Sequence, residues 1–267
     1  MLSIAITGAN GQLGQSLRAI APLFPNLDLK FFNRSELDVT NRKSIQEAFG
    51  SKQFDYLINC AAYTNVVGAE SNSEAANLLN GLAAGYLAEA AQKNKTHLVQ
   101  ISTDYVFDGT KLEPYVPTDL TNPLSVYGQS KLLGEQLVAQ NCDHYSVIRT
   151  SWVYSEFGSN FYTKIKTRAD EGQILWITDE YIGCPTYAPK LAQHILSGIT
   201  KGDLPQGVSH FAGKEVMTWF GLARKLLPEA DIRVAPKEKQ PLSVDRPKLQ
   251  CLGRLTIIKL GSSLNEY

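Results

Sequence analysis

Five short apolar runs, at residues 2–6, 27–32, 56–61, 98–102 and 146–149, are separated by longer amphipathic stretches. Helical spacing falls on Leu13, Leu17 and Ile20, then recurs over 44–49, 74–94 and 125–140. Strands that are apolar on both faces and alternate with helices bury themselves as a parallel sheet covered on each side. The class this predicts is α/β, with a doubly wound, Rossmann-like sheet. Beyond Arg149 the alternation loosens, with helical patterns at 161–171, 188–199 and 219–227 joined by turn-rich segments such as 180–186.

The first apolar run leads directly into Thr7-Gly8-Ala9-Asn10-Gly11-Gln12-Leu13-Gly14. The glycines are spaced GxxGxxG, and each has a mechanical reason. The first permits a tight turn, the second lets backbone approach a pyrophosphate, and the third allows close packing of helix on strand. Peptide N–H groups at the start of the helix, with the positive end of its dipole, then hold the phosphates. A strand before the glycines and a helix after them is the context that dinucleotide binding demands. The second run ends Phe31-Phe32-Asn33-Arg34 and has no terminal carboxylate for a ribose 2′-hydroxyl, while Arg34 suits a 2′-phosphate. Glu36 and Asp38 follow closely and could serve the adenosine end. NADPH or NADH is expected, NADPH being favoured. Residues 1–150 are therefore expected to form an NAD(P)-binding domain. Residues 151–267 should form mainly a smaller C-terminal substrate lobe, with the chain free to cross back to the first domain.

Composition narrows the partners. The chain carries 26 Lys+Arg against 26 Asp+Glu, and this balance speaks against a dedicated nucleic-acid binder. Between Arg224 and Lys259 nine basic residues face four acidic ones, read as a solvated surface or as an attraction for a phosphorylated ligand. Cys60, Cys142, Cys184 and Cys251 form no CxxC pair, so neither a zinc site nor a disulfide framework is predicted. The N-terminus reads as a strand, not a signal peptide, and no apolar run approaches membrane-spanning length. A soluble, cytoplasmic protein is expected.

A reductase needs an acid to protonate the oxygen that hydride transfer leaves behind. Tyr127-Gly128-Gln129-Ser130-Lys131 places a phenol and an ammonium at i and i+4, on one helix face. The ammonium is expected to favour the ionised phenol. The spacing alone means little: with 12 tyrosines, about one such pair is expected from composition. A second pair, Tyr162 and Lys166, does occur. Position separates the two. Tyr127 begins the helix that follows the run ending Ser102-Thr103, and in a doubly wound sheet strand ends and following helices converge on one crevice. Thr103 adds a hydroxyl able to bond and preorganise a substrate carbonyl. Tyr162 and Lys166 read as packing within the lobe.

With TGANGQLG, STDYVFDG and YGQSK in this order, the chain resembles the extended short-chain dehydrogenase/reductases, and among them the dTDP-4-dehydrorhamnose reductase family. The resemblance runs from residue 1 to about residue 247. It also covers Asn59-Cys60-Ala61-Ala62-Tyr63-Thr64, Arg149-Thr150-Ser151-Trp152-Val153-Tyr154, Gly158-Ser159-Asn160-Phe161 and Gly183-Cys184-Pro185-Thr186-Tyr187-Ala188. It implies NAD(P)H-dependent reduction of the 4-keto group of dTDP-4-dehydro-L-rhamnose (dTDP-6-deoxy-L-lyxo-4-hexulose) to dTDP-L-rhamnose. Thr103, Tyr127 and Lys131 would be the catalytic set. The cofactor would lie along Gly8, Asn10, Gly11, Gln12, Leu13, Gly14, Arg34, Asp38, Val39, Ala61, Ala62, Tyr63, Asn80, Tyr127 and Lys131. Asn80 would also position the active-site helix. The sugar nucleotide would meet Thr64, Val66, Thr103, Tyr105, Val106, Trp152, Asn160 and Arg246.

The departures are informative. Where the family often reads VDKAE, this chain has Val66-Val67-Gly68-Ala69-Glu70, so two charges that edge the sugar pocket are lost. A common DQxG becomes Glu180-Tyr181-Ile182-Gly183. Acidic residues that hold a magnesium between subunits in some members are replaced at Gln15 and near Pro189, so a metal-linked dimer is not expected. A monomer or weak homodimer without a metal is the reading. The tail diverges after Arg246-Pro247. Two alternatives remain at this level. One is another nucleotide-sugar reductase or epimerase; the other is a non-enzymatic NADP-binding subunit like the regulatory partner of methionine adenosyltransferase.

Overall fold

The computed structural model describes residues 1–236, 247, 249–250 and 252–253. The strands, in chain order, begin with β1 (Leu2–Thr7), β2 (Leu27–Phe31), β3 (Tyr56–Asn59), β4 (His97–Thr103) and β5 (Tyr145–Thr150). Short strands follow: β6 (Val153–Tyr154), β7 (Leu175–Ile177), β8 (Ile182–Gly183) and β9 (Thr186–Tyr187). Then come β10 (Gly207–His210), β11 (Met217–Thr218), β12 (Ile232–Val234) and β13 (Leu249–Gln250). The first helices are α1 (Gln12–Ile20), α2 (Arg42–Ser51), α3 (Val66–Ser71), α4 (Ser73–Ala76) and α5 (Ala83–Asn94). They are followed by α6 (Val126–Asn141), α7 (Phe161–Asp170), α8 (Ala188–Lys201) and α9 (Trp219–Leu226).

The central sheet has the order β10-β5-β4-β3-β1-β2, with every pair parallel, as the sequence pattern predicts. Side chains alternate across it. Ala5, Leu57, Leu98 and Val147 enter one apolar cluster with residues of α2, α5 and α6. Ile4, Ile6, Ile58, Val99 and Ile148 enter the opposite cluster with α1 and α8. Each fully buried Leu or Ile contributes about 1.5–3 kcal/mol, so both faces hold the sheet. The strand β10 was not among the runs read from the sequence. It carries Ser209 and His210 and lies at the sheet edge beside β5, brought back by α8.

The order of strands reverses between β1 and β3, which opens a crevice at their carboxyl ends. The smaller sheets lie beyond that end. They pair β6 with β9, β7 with β12, and β8 with β11 and β13. An apolar cluster of Ile165, Leu175, Ile177, Ala223 and Ile232 joins α7, α9 and two of these strands. The long helix expected over 74–94 is interrupted by a π-helical segment, Asn77–Leu82. Here α6 approaches closely. A Cβ on Gly134 would lie 2.2 Å from the Asn80 carbonyl oxygen, and one on Gly81 would lie 2.6 Å from Leu133 Cδ2.

Candidate active site

The glycine turn meets the loop after β3 at the crevice. Gly8 has φ +63°, and a Cβ there would stand 2.6 Å from the Ala61 nitrogen. A Cβ on Gly14 would stand 2.5 Å from the Gly8 carbonyl oxygen, so the helix start packs directly on the turn. Gly11 caps α1 without a side-chain hydrogen bond, and no acidic residue occupies the first turn. A helix end built this way suits an anion held by backbone amides. Asn10 is exposed beside it, while the Leu13 side chain points into the core, leaving its backbone for a ligand. Gln12 donates to the Val153 carbonyl at 3.3 Å, tying the turn to β6. At the end of β2, Arg34 is 87% exposed and lies 3.9 Å from Asp38. Asp38 accepts from the Thr40 hydroxyl at 2.7 Å, and Val39 is buried. The turn and the exposed guanidinium fit a phosphorylated dinucleotide.

A buried polar chain orders the strand ends. The Thr7 hydroxyl donates to Asn59 Oδ1 at 2.6 Å, and Asn59 Nδ2 donates to Gln100 Oε1 at 2.8 Å. Asn59 Oδ1 also accepts from the Ala61 amide, which shapes the segment Ala61-Ala62-Tyr63. Asn80, in the π segment, is a hub. Its Oδ1 accepts from the Tyr63 amide at 2.8 Å, and its Nδ2 donates to the Tyr63 carbonyl and the Ser130 hydroxyl, each at 3.0 Å. One amide thus fixes the loop after β3 against α6, the helix that carries Tyr127 and Lys131.

Ser125 caps α6 through the Gly128 amide, so Tyr127 opens the helix just past the end of β4. Thr103 ends β4, and its hydroxyl donates to Asp104 Oδ1 at 2.9 Å and accepts from the Tyr105 amide at 3.2 Å. Burial pushes the Tyr127 phenol above its ordinary range, against the lowering effect of the Thr103 hydroxyl nearby. This runs against the expectation that Lys131 brings the phenol down: burial favours the neutral phenol, and Lys131 is not among the groups that lower it. Lys131 instead donates to the Ile101 carbonyl at 2.6 Å, and burial lowers its ammonium to about 8. Glu135, one turn further along α6, opposes that lowering. Glu135 is itself locked, accepting from Arg149 Nη2 at 2.7 Å and from the Ser102 hydroxyl at 2.5 Å.

Two residues beside this set were missed in the sequence. Asp104 is 2% exposed; its Oδ1 accepts from the Thr103 hydroxyl at 2.9 Å and its Oδ2 from the Ser151 hydroxyl at 2.6 Å. Burial pushes its carboxyl up to about 7, against the lowering effect of those two bonds. The signal was present: an acid set inside the apolar stretch of STDYVFDG. The second is Trp219, whose ring stacks on Trp152 at 3.7 Å and 7°.

The expected sugar contacts divide. Tyr105 meets Tyr127 edge to face at 5.4 Å, Thr64 is exposed, and Val66 opens α3 half-buried. Trp152 adopts φ +45°, a strained conformation for a bulky residue, and its ring fills the space a Cβ on Gly183 would take. Val106 is fully buried in a cluster with Phe107, Tyr115 and Cys184, so its side chain offers no surface to a sugar. Asn160 is spent on structure. Its Oδ1 accepts from the amides of Tyr162 and Thr163, and its Nδ2 donates to the carbonyls of Ser155 and Phe157. An amide has no further hydrogen-bonding capacity than that. Arg246 lies outside the described residues. On α7, away from the crevice, Lys166 pairs with Asp170 at 2.8 Å.

The comparisons with known proteins agree along nearly the whole chain. A family model described as the RmlD substrate binding domain matches residues 2–261. A dTDP-4-dehydrorhamnose reductase from Aggregatibacter actinomycetemcomitans is 36% identical over 234 residues, covering 86% of this chain and 80% of that protein. A dTDP-4-keto-6-deoxy-D-glucose reductase from Streptomyces niveus is 34% identical over 93% of this chain and 87% of its own. The crystal structure of a dTDP-4-dehydrorhamnose reductase from Bacillus anthracis, in complex with NADP, superposes with a TM-score of 0.89. It is 33% identical and covers 96% of this chain and 92% of that one. Matches of this extent, on a chain whose glycine turn and Thr-Tyr-Lys set meet at one crevice, lead to a plain conclusion: it belongs to the RmlD substrate binding domain family.

Proposed function

We propose that the protein reduces the 4-keto group of dTDP-4-dehydro-L-rhamnose to dTDP-L-rhamnose, using NADPH in preference to NADH. The observation that carries this reading is the meeting of Thr103, Tyr127 and Lys131 at the carboxyl end of β4, beside the glycine turn. When bound, the reduced nicotinamide supplies the hydride. Backbone amides from Gly8 to Gly14 would hold its pyrophosphate, and Arg34 its 2′-phosphate. Tyr127 holds a proton on its phenolic oxygen and delivers it to the sugar's C4 oxygen. Thr103 orients the carbonyl with its hydroxyl. Lys131 supplies a cation one helical turn away, with a proton affinity near neutrality that lets it exchange protons readily.

Trp152, Tyr105 and Thr64 would bound the sugar, with Trp152 offering an aromatic face to its C–H surface. Residues 1–150 together with α8 and β10 would bind the cofactor, and the remaining described lobe the nucleotide sugar. Among the described residues no helix is long and apolar enough to cross a membrane. A cytoplasmic monomer or weak homodimer, without a metal at its interface and with no role on nucleic acid, completes the proposal. A different dTDP-linked 4-keto sugar is the second reading, favoured by the uncharged stretch Val66-Val67-Gly68-Ala69 at the pocket edge and by the Streptomyces relative.

The test is NADPH oxidation with a panel of 4-keto nucleotide sugars, followed by product identification. Tyr127→Phe is expected to lower turnover by about 10²–10⁴-fold with NADPH affinity little changed. No oxidation with dTDP-4-dehydro-L-rhamnose, or normal turnover in the Phe variant, would reject the reading.

A further inference from the structure

We infer that the protein carries a second ligand site, separate from the crevice, that takes a nucleoside phosphate. A cavity of about 520 Å³ opens between the start of α8, the chain after β10, and α9. That volume falls within the range of small-molecule pockets, about 300–1,000 Å³. Among the described residues, Gly8, Thr103, Tyr127, Lys131 and Trp152 are all absent from its lining. Its floor is closed where Gly213 packs on Pro185: a Cβ on Gly213 would overlap the Pro185 carbonyl oxygen.

The wall is aromatic for reasons of register. Tyr154 and Tyr187 are partners in the parallel pair β6–β9, so their side chains leave on the same face. Their rings lie 5.5 Å apart at 38°, too tilted to cover one another. On α8, Lys190, His194 and Ser197 recur at i, i+4 and i+7 and line the cavity from one helix face. The other face of α8, with Leu191, Ala192, Ile195 and Leu196, is in the core. The His194 ring stacks on Phe211 at 4.4 Å and 17°, which extends the aromatic wall.

The mouth is cationic. Lys190, Lys214 and Lys225 are exposed there, and the lining holds one acid among the described residues, Glu215. Glu215 is taken by Lys225 at 2.5 Å. Lys190 donates to the neutral amide of Gln193 at 3.4 Å, which leaves its charge uncompensated. Nearby, Glu156 is occupied in accepting from the Tyr187 hydroxyl at 2.9 and 3.0 Å. The first turn of α8 contains no acidic residue and adds the positive end of its dipole. Ammonium groups at a mouth attract phosphate, and aromatic walls take a flat ring. A ligand that satisfies both at this volume has a base at one end and a phosphate at the other.

The test titrates the full chain with dTDP and with inorganic pyrophosphate by isothermal titration calorimetry, comparing wild type with the double variant Lys190→Glu, Lys214→Glu. The wild type should bind one more dTDP per chain than the double variant, whatever the crevice itself binds, and NADPH affinity should be the same in both. Stacking on the wall should make dTDP bind at this site at least about tenfold more tightly than pyrophosphate. His194→Ala should weaken dTDP there by about two- to tenfold and leave pyrophosphate unchanged. These readouts need no turnover, so they stand even if the protein reduces no keto sugar. Equal dTDP stoichiometry in wild type and double variant would overturn the inference, as would pyrophosphate binding as tightly as dTDP. A double variant that changes oligomeric mass in analytical ultracentrifugation but not nucleotide count would make the cavity a contact between copies, and would overturn it too.

Discussion

Glu135→Gln tests how the helix bearing Tyr127 and Lys131 is fastened to the sheet. Glu135 and Arg149 are each 5% exposed, and the guanidinium reaches both carboxylate oxygens, with Nη2 at 2.7 Å and Nε at 3.0 and 3.2 Å. The Ser102 hydroxyl adds a third donor at 2.5 Å. Glutamine retains one acceptor but leaves a buried cation opposed by an uncharged amide. The remaining neighbours of Arg149, the Pro117 carbonyl at 3.4 Å and the Phe107 ring at 5.0 Å, cannot neutralise it. Breaking a buried pair from one side costs about 3–5 kcal/mol, a large share of the 5–15 kcal/mol that holds a typical domain. Removing both charges, as Glu135→Leu with Arg149→Met, also removes both desolvation costs. That variant should lie within about 2 kcal/mol of wild type. Urea unfolding followed by far-UV circular dichroism measures each variant. A loss below about 1 kcal/mol for Glu135→Gln, or a double variant as unstable as the sum of its singles, would refute the reasoning.

Gly8→Ala combines a left-handed backbone, worth about 1–2 kcal/mol, with a Cβ driven against the backbone of residues 60–61. It should weaken NADPH binding by at least about tenfold in a fluorescence titration; unchanged affinity would dismiss the turn as the phosphate cradle. The folded protein holds the Asp104 proton up to about 7 whereas the unfolded chain releases it near 3.8, so stability present at acid pH is lost as pH rises through that window. Relative to Asp104→Asn, the wild type should lose about 3 kcal/mol between about pH 5 and pH 8, read as unfolding free energy. Parallel pH curves for the two proteins would contradict the buried carboxyl.

The parts of this fold that were legible in the sequence are those that depend on neighbours along the chain. The five apolar runs became β1 to β5, because a strand buried on both faces must be continuously apolar. The glycine turn was equally plain, since Gly8 and Gly14 stand where no side chain fits. Thr103, Tyr127 and Lys131 could be separated from Tyr162 and Lys166 because element order alone puts the former beside the crevice. What escaped depends on distant partners. β10 is four residues long at a sheet edge, with serine and histidine in place of an apolar run. Asp104 is recognisable as a buried acid only once Ser151, 47 residues away, comes to meet it. Asn160 and Val106 were placed against the substrate by resemblance, yet a cap and an apolar cluster occupy their side chains.

The stacked indoles have a use beyond packing. Trp152 follows β5 directly and Trp219 begins α9, so their 3.7 Å contact ties the segment leaving the central sheet to that helix. Chromophores this close share their excited states, so their circular dichroism depends on their separation and mutual angle. The protein thus carries a built-in optical ruler for one contact: any separation of α9 from the segment after β5 would change that signal without an added dye.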